Sequence, residues 1–447
     1  MGSRLMIILG GLHRGVLILA GFAIFMLIGA FLLMLPAAQS GAREIGFLDA
    51  LFTSVSAVSV TGMSLIDAKR DLSLFGQLIM IVMIQVGGLG IMTIMAIMAI
   101  YAGRRIRLQE RLLIRDSFNL ETPSGMVNLV RKIVLMTFLV EFVSGTLLSF
   151  HFVPDMGAEG IYYGYWHAVS AFCNCGLDLF GGSGFSPFAQ DPFVCGVVIV
   201  TMTLGGIGFV VIDDVLTKRS WSHLSLNSKM VLTAELAFTL FGAVVFFIMD
   251  RNNPRTMGEM NIFMEILNSL FMSVSSRMAG FTTFDIADVS ISTQLIVMFL
   301  MFTGAAPVST GGGVRTTTVM VMILSVLSWI RGKEHVVIFH KRISEQTISK
   351  AFHVFSLSFA LTFLTVFLLL VFDTSGFRLE EVLFEGVSAF STVGFSVGLT
   401  AGWNDICKVI LILAMFVGRI GVMALVLTFA ERQQGRIRYP TEKVVIG

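Results

Sequence analysis

The chain has 447 residues, of which 55% are hydrophobic and 13% charged, with a mean hydropathy of +0.86 and a net charge of +2. A soluble domain carries about 25% charged residues, so this composition excludes water as the main solvent. The net charge is uninformative as a total, no nucleic-acid partner is expected, and the four cysteines do not suggest a disulfide framework.

Residues 16–35 form an uncharged run of twenty, the length that crosses roughly 30 Å of hydrocarbon as a helix. Arg4, His13 and Arg14 precede it, as they would in a secretory signal. The run is longer than the ~7–15 residues of a signal's apolar core, so it reads as a retained span. Seven further spans are expected at 75–101, 130–153, 193–216, 228–249, 291–330, 351–372 and 406–430. Their uninterrupted apolar character, with little alternation, selects helices over a barrel.

Lys and Arg fall in alternate loops. Arg4 and Arg14, seven residues between 104 and 132, the group Lys218, Arg219 and Lys229, five between 331 and 350, and four between 432 and 443 make 21 of the 31 basic residues. Arg43, Lys69, Arg70, Arg251, Arg255, Arg378 and Lys408 lie in the other loops. The positive-inside rule therefore predicts that both termini are cytoplasmic, which requires an even number of spans.

Between the members of each pair of spans lies a segment too short to cross and too apolar for an ordinary loop: 47–58, 166–172, 265–275 and 381–390. These predict re-entrant helices. Each leads into a short stretch ending in glycine: SVTGM (59–63), CNCGL (173–177), RMAGF (277–281) and STVGF (391–395). Gly62, Gly176, Gly280 and Gly394 are 114, 104 and 114 residues apart. A second marker follows each: VGGLG, LGGIG, the longer TGAAPVSTGGGVR and VGRIG, beginning at 86, 204, 303 and 417.

Two landmarks in register predict an internal repeat. The expected fold is an all-α polytopic membrane protein, with eight spans and four re-entrant pore helices. Four parallel helix, pore loop, helix repeats would surround one pore with pseudo-fourfold symmetry. Their expected bounds are 1–115, 116–220, 221–340 with a broken inner helix at 303–316, and 341–447.

Four such units would bring four glycine-centred strands to one axis, where rings of backbone carbonyls replace the hydration shell of a monovalent cation. The candidate ion-binding residues are Val60, Thr61 and Gly62; Asn174, Cys175 and Gly176; Met278, Ala279 and Gly280; and Thr392, Val393 and Gly394. The negative ends of the short helices would favour a cation there. The four stretches contain no carboxylate, which argues against a divalent site, and glycine at all four positions favours potassium.

The helix, pore loop, helix units, SVTGM, RMAGF and STVGF, the STGGG run and VGRIG resemble the Trk/Ktr/HKT superfamily of potassium transporters. The likeness covers about residues 22–431 and is nearest to the membrane subunits of bacterial Ktr systems. It implies potassium as the transported ion, and a homodimer with one pore per subunit in the bacterial cytoplasmic membrane. It also implies a cytoplasmic ring of nucleotide-binding regulatory subunits, and no organic cofactor in this chain. Cys173 and Cys175 around Asn174, and Met278 in place of a small polar residue, depart from the family pattern.

The resemblance makes the interruption at 303–316 a gate below the filter, with Ser309, Thr310, Gly311, Gly312, Gly313 and Arg419 as its residues. A packing kink is the structural alternative, because Pro307 and the glycines cannot hold a continuous helix in any case. Arg419, within a span, needs stabilising partners. Carbonyls of the gate loop, a fixed positive barrier or a structural anchor are its open roles. Arg277 is expected to brace the third filter from behind, with repulsion of ions in the path as the alternative.

Asp67, Asp178 and Asp285 are candidates for concentrating cations at the mouth, with loop carboxylates as the equal alternative. Residues 102–132 and 331–350 are candidate docking surfaces for a regulator or for anionic headgroups. No phosphate-binding loop, HExxH or nucleophile elbow is present in the sequence, so no enzymatic activity is expected. The competing function is an alternating-access cation symporter coupled to Na+ or H+, and sodium dependence within a channel-like subunit stays open.

Overall fold

The computed structural model describes residues 14–90, 93–94, 126–182, 184–422 and 425. The expected basic loop at 104–115 and the basic tail at 432–443 lie outside the described residues. So do most of the 102–132 docking surface and the ends of the second and eighth expected spans.

The described residues are mostly helical. In order it forms α1 (Arg14–Leu33), α2 (Phe47–Ser59), α3 (Leu74–Leu89), α4 (Met126–Met156), α5 (Glu159–Phe172), α6 (Pro192–Gly206) and α7 (Phe209–Lys218). There follow α8 (Leu226–Asp250), α9 (Ile262–Met278), α10 (Ile291–Thr303), α11 (Thr316–Ile330), α12 (Glu345–Phe372), α13 (Leu379–Ser391) and α14 (Asp405–Ile420). A two-stranded antiparallel hairpin, β1 (Val337–Ile338) with β2 (Lys341–Arg342), precedes α12.

Among the described residues, three helices are long and apolar enough to cross a membrane, at Val127–Met156, Leu226–Asp250 and Glu345–Phe372. On α8, Leu236, Leu240, Val244 and Ile248 recur every fourth residue and are each more than half exposed. That stripe suits hydrocarbon and not water.

The expected span at 193–216 is not one straight helix: α6 and α7 meet at 97°. Gly208 takes φ +95°, and the Phe209 N–H turns aside to donate to Val308 O at 2.9 Å. The second marker therefore bends this chain segment, as well as permitting close packing. The expected span at 291–330 is interrupted between α10 and α11. The second short helix begins at Glu159 and not near 166, because Gly160 and Gly164 let it lie directly against α4.

Helix contacts run in a closed circuit. Each short helix packs against the helices that flank it in sequence. In addition α3 packs on α5, α6 on α9, α10 on α13, and α14 back on α2. The C-terminal ends of α2, α5, α9 and α13 are thus gathered at the centre, where most of their residues are buried.

A candidate ion site where four short helices end

At the end of three short helices one non-glycine residue adopts the left-handed conformation: Val60 (φ 58°), Asn174 (φ 58°) and Thr392 (φ 52°). This turns the chain sharply out of the helix two residues before the glycine. The third segment differs. Met278 remains helical, and Ala279 turns at φ −122°.

Gly62, Gly176, Gly280 and Gly394 all have positive φ, between 70° and 97°. A methyl group placed on Gly62 would overlap the carbonyl oxygen of Cys175. One on Gly176 would overlap Ala279 O, one on Gly280 Val393 O, and one on Gly394 Thr61 O. The four glycines therefore form one ring, each seated against the carbonyl that precedes the next. Both the φ values and the close approach require a residue without a side chain.

A serine in each short helix secures its segment. Ser56 O, Ser170 O and Ser388 O accept from the N–H groups of Thr61, Cys175 and Val393 at 2.8, 2.9 and 3.1 Å, and Ser275 O accepts from Gly280 N–H at 3.2 Å. The hydroxyls of Ser56 and Ser388 accept from the N–H of Gly62 and Gly394, at 3.0 and 3.1 Å. Those of Ser170 and Ser275 instead donate to Leu177 O and Phe281 O, at 2.7 and 2.6 Å. Sequence reasoning missed these serines. Their signal was an almost constant offset, six residues before the glycine in three repeats and five in the third.

The interruption between α10 and α11 packs against the segments of this ring. The Thr310 hydroxyl is 3.1 Å from both Phe172 O and Gly205 O, and 2.8 Å from the side-chain amide of Asn174. The Ser309 hydroxyl donates to Ala306 O at 2.6 Å. Arg315 donates to Gly311 O at 2.6 Å, and a methyl on Gly312 would overlap the Thr392 hydroxyl. Gly313 lies near Ser391. Arg419 donates to Thr310 O and Gly87 O, and to Gly88 O at 3.3 Å.

Arg277 points away from the ring and pairs with Glu235 on α8 at 2.8 Å. Its guanidinium also lies 3.4 Å from Gly304 O. Glu235 had no place in the sequence reading, although a lone carboxylate in an apolar span is itself a signal.

The three acidic candidates are engaged with their own loops. Asp67 accepts from the N–H groups of Lys69 and Arg70, at 2.9 and 3.1 Å. Asp178 accepts from those of Phe180, Gly182 and Gly184, and Asp285 from that of Ala287. Among the described residues no group of three or more His, Cys, Asp or Glu could hold a metal. Cys173 and Cys175 are buried.

A family model for the cation transport protein TrkH matches residues 15–438. The chain belongs to the TrkH family of cation transport proteins. Ktr system potassium uptake protein B of Bacillus subtilis is 36% identical to this TrkH-family chain, over 96% of it and 95% of the relative. The protein of the same name from Vibrio alginolyticus is 35% identical over 96% and 94%. Potassium/sodium uptake protein NtpJ of Enterococcus hirae is 33% identical over 96% of each. The solved potassium transporter TrkH from Vibrio parahaemolyticus shares the fold with a TM-score of 0.74, at 16% identity, covering 94% of this chain and 85% of that one.

Proposed function

We propose that this protein is the ion-conducting subunit of a potassium uptake system in the bacterial cytoplasmic membrane. The ring of Gly62, Gly176, Gly280 and Gly394 is its selectivity filter. The observation that carries this reading is the closed circuit in which each glycine abuts the carbonyl preceding the next. Four carbonyl groups converging at the ends of four short helices give a monovalent cation a dehydrated site made of dipoles alone. The names of the relatives, potassium uptake and potassium/sodium uptake proteins, agree with that chemistry.

In this reading the eight spans and four pore helices are arranged with pseudo-fourfold symmetry, and both termini are cytoplasmic. Residues 304–315 form the gate, latched by Arg419. Two copies assemble with a cytoplasmic regulator, consistent with relatives described as parts of a Ktr system.

The test is rubidium uptake into proteoliposomes containing the purified protein. Potassium is expected to compete strongly and sodium weakly. Equal competition by sodium would overturn the assignment of the ring as a potassium filter. Rubidium flux that requires a sodium gradient would move the mechanism to the coupled carrier.

A further inference from the structure

Each of the four short helices carries a fully buried side chain eight or nine residues before its glycine: Thr53, His167, Met272 and Glu385. In every repeat that side chain reaches forward to the strand leaving the glycine, two or three residues beyond it. Thr53 Oγ1 lies 3.4 Å from the Ser64 hydroxyl. His167 Nε2 accepts from the Leu179 N–H at 3.1 Å. Met272 Sδ is 3.5 Å from the Thr283 N. Glu385 accepts from the Ser396 hydroxyl and from the Val397 N–H at 3.2 Å, with the Thr400 hydroxyl at 3.5 Å.

One position thus carries four different chemistries in one role, and the holds are unequal. The hydroxyl and the thioether make single, long contacts. The imidazole is fixed at both nitrogens: Nε2 accepts, so Nδ1 carries the proton and donates to Tyr163 O at 2.7 Å. The ring also stacks on Phe180 with centroids 4.2 Å apart. The carboxyl group accepts from two donors, Ser396 and Val397, and the Thr400 hydroxyl backs the first, 3.0 Å from Ser396 Oγ. In the order in which the glycines touch, the second and fourth segments are opposite each other. The firm holds therefore lie along one diagonal.

We propose that Glu385 and His167 are positioning residues for ion discrimination. From behind, they fix the outer exits of two opposed filter strands, and so keep the carbonyl ring from contracting around a smaller ion. This rests on the reading of the glycine ring as the ion path. A strand without ladder hydrogen bonds depends on contacts from the short helix behind it, the serine contacts before the glycine and these side chains beyond it, and a ring free to contract would accept sodium.

The experiment uses the full-length protein in proteoliposomes and measures how well sodium competes with rubidium uptake. Glu385→Leu and Ser396→Ala are expected to let sodium compete about tenfold better, the effect of losing one buried hydrogen bond at the strand's exit. Glu385→Gln still accepts from Ser396 and Val397, and is expected to restore near-native discrimination. A merely space-filling role would not produce that rescue. Native discrimination in both Glu385→Leu and Ser396→Ala overturns the proposal. If Glu385→Leu does not fold, Ser396→Ala decides alone, because Ser396 is partly exposed and its loss leaves no cavity in the core. A Gln variant as unselective as Leu also overturns it, since charge and not positioning would then be the cause. A wild-type protein with no preference for rubidium over sodium would sink the ion-path reading itself.

Discussion

The guanidinium of Arg419 donates to the backbone carbonyl of Thr310, while its second amino group reaches the carbonyls of Gly87 and Gly88. One side chain of α14 thereby joins the break between α10 and α11 to the end of α3. Among the described residues no carboxylate pairs with it, and these carbonyl dipoles stabilise a charge that is 9% exposed. A planar fork can serve both sides at once, and an ammonium cannot. Arg419→Lys and Arg419→Ala are expected to raise regulator-independent rubidium influx by about tenfold or more. If this contact holds a gate shut, each lost hydrogen bond from the charged donor weakens it by ~1.5–3 kcal/mol. Unchanged influx in both variants would leave Arg419 as an anchor without a gating role.

Shortening the interruption tests the same contact from its other side. Deleting residues 309–313 removes Thr310 and the glycines that pack against the ring segments. A gate predicts faster, unregulated flux after the deletion, whereas a packing kink predicts misfolding or no change. Size-exclusion profiles and rubidium influx, measured together, separate these outcomes.

The ring itself makes a sharp steric prediction. In Gly394→Ala the new methyl overlaps Thr61 O, and the backbone already sits at φ +93°. Gly398 has a similar φ, +88°, but open space around it. Alanine at 398 costs only the left-handed strain of ~1–2 kcal/mol. Gly394→Ala is therefore expected to abolish growth of a potassium-uptake-deficient host on low potassium, and Gly398→Ala to support it. Equal growth of the two would show that close approach at the ring is not needed.

What was legible in the sequence follows from which contacts are local or repeated. The four glycines could be found because steric exclusion at one ring imposes the same residue four times at nearly equal intervals. The shared serines Ser56, Ser170, Ser275 and Ser388 escaped notice, since a small polar residue in an apolar helix is common and the third offset slips by one. The slip has a cause: Met278 stays helical where Val60, Asn174 and Thr392 turn left-handed. The 97° bend between α6 and α7 was hidden because it depends on a hydrogen bond from Phe209 to Val308, a hundred residues away in sequence. The pairing of Glu235 with Arg277 and the reach of Arg419 to Gly87 and Gly88 were out of view for the same reason, whereas carbonyls of the interruption were among the roles open to Arg419.

Arg277 and Glu235 form an ion pair whose side chains are 0% and 6% exposed. Taking away one member of such a pair strands a charge and costs ~3–5 kcal/mol. Arg277→Met should accordingly lower the thermal unfolding midpoint in detergent. The double variant Arg277→Met with Glu235→Met should recover much of that loss, since neither charge is then left alone. A double variant no more stable than the single one would mean that Arg277 acts chiefly through Gly304 O and Thr239, its other partners.

Asp71, in the loop between α2 and α3, is 1% exposed and lies 2.9 Å from Arg70 and 3.4 Å from Arg43. Burial alone would raise its pKa. The hydrogen bonds from Arg70 and from the Asp67 N–H, with the charge of Arg43, outweigh burial and hold the carboxyl below its usual value. A carboxylate depressed in the fold contributes stability that is present above its unfolded pKa, and that is lost as pH falls through its folded one. The cluster is therefore expected to be intact at neutral pH and to weaken only below about pH 4. Asp71→Asn removes that contribution at every pH. The variant should be less stable than the parent at pH 7, and the gap should narrow on acidification. Unfolding midpoints measured across that range decide it, and a gap that does not change with pH would rule out the carboxylate's charge as the source.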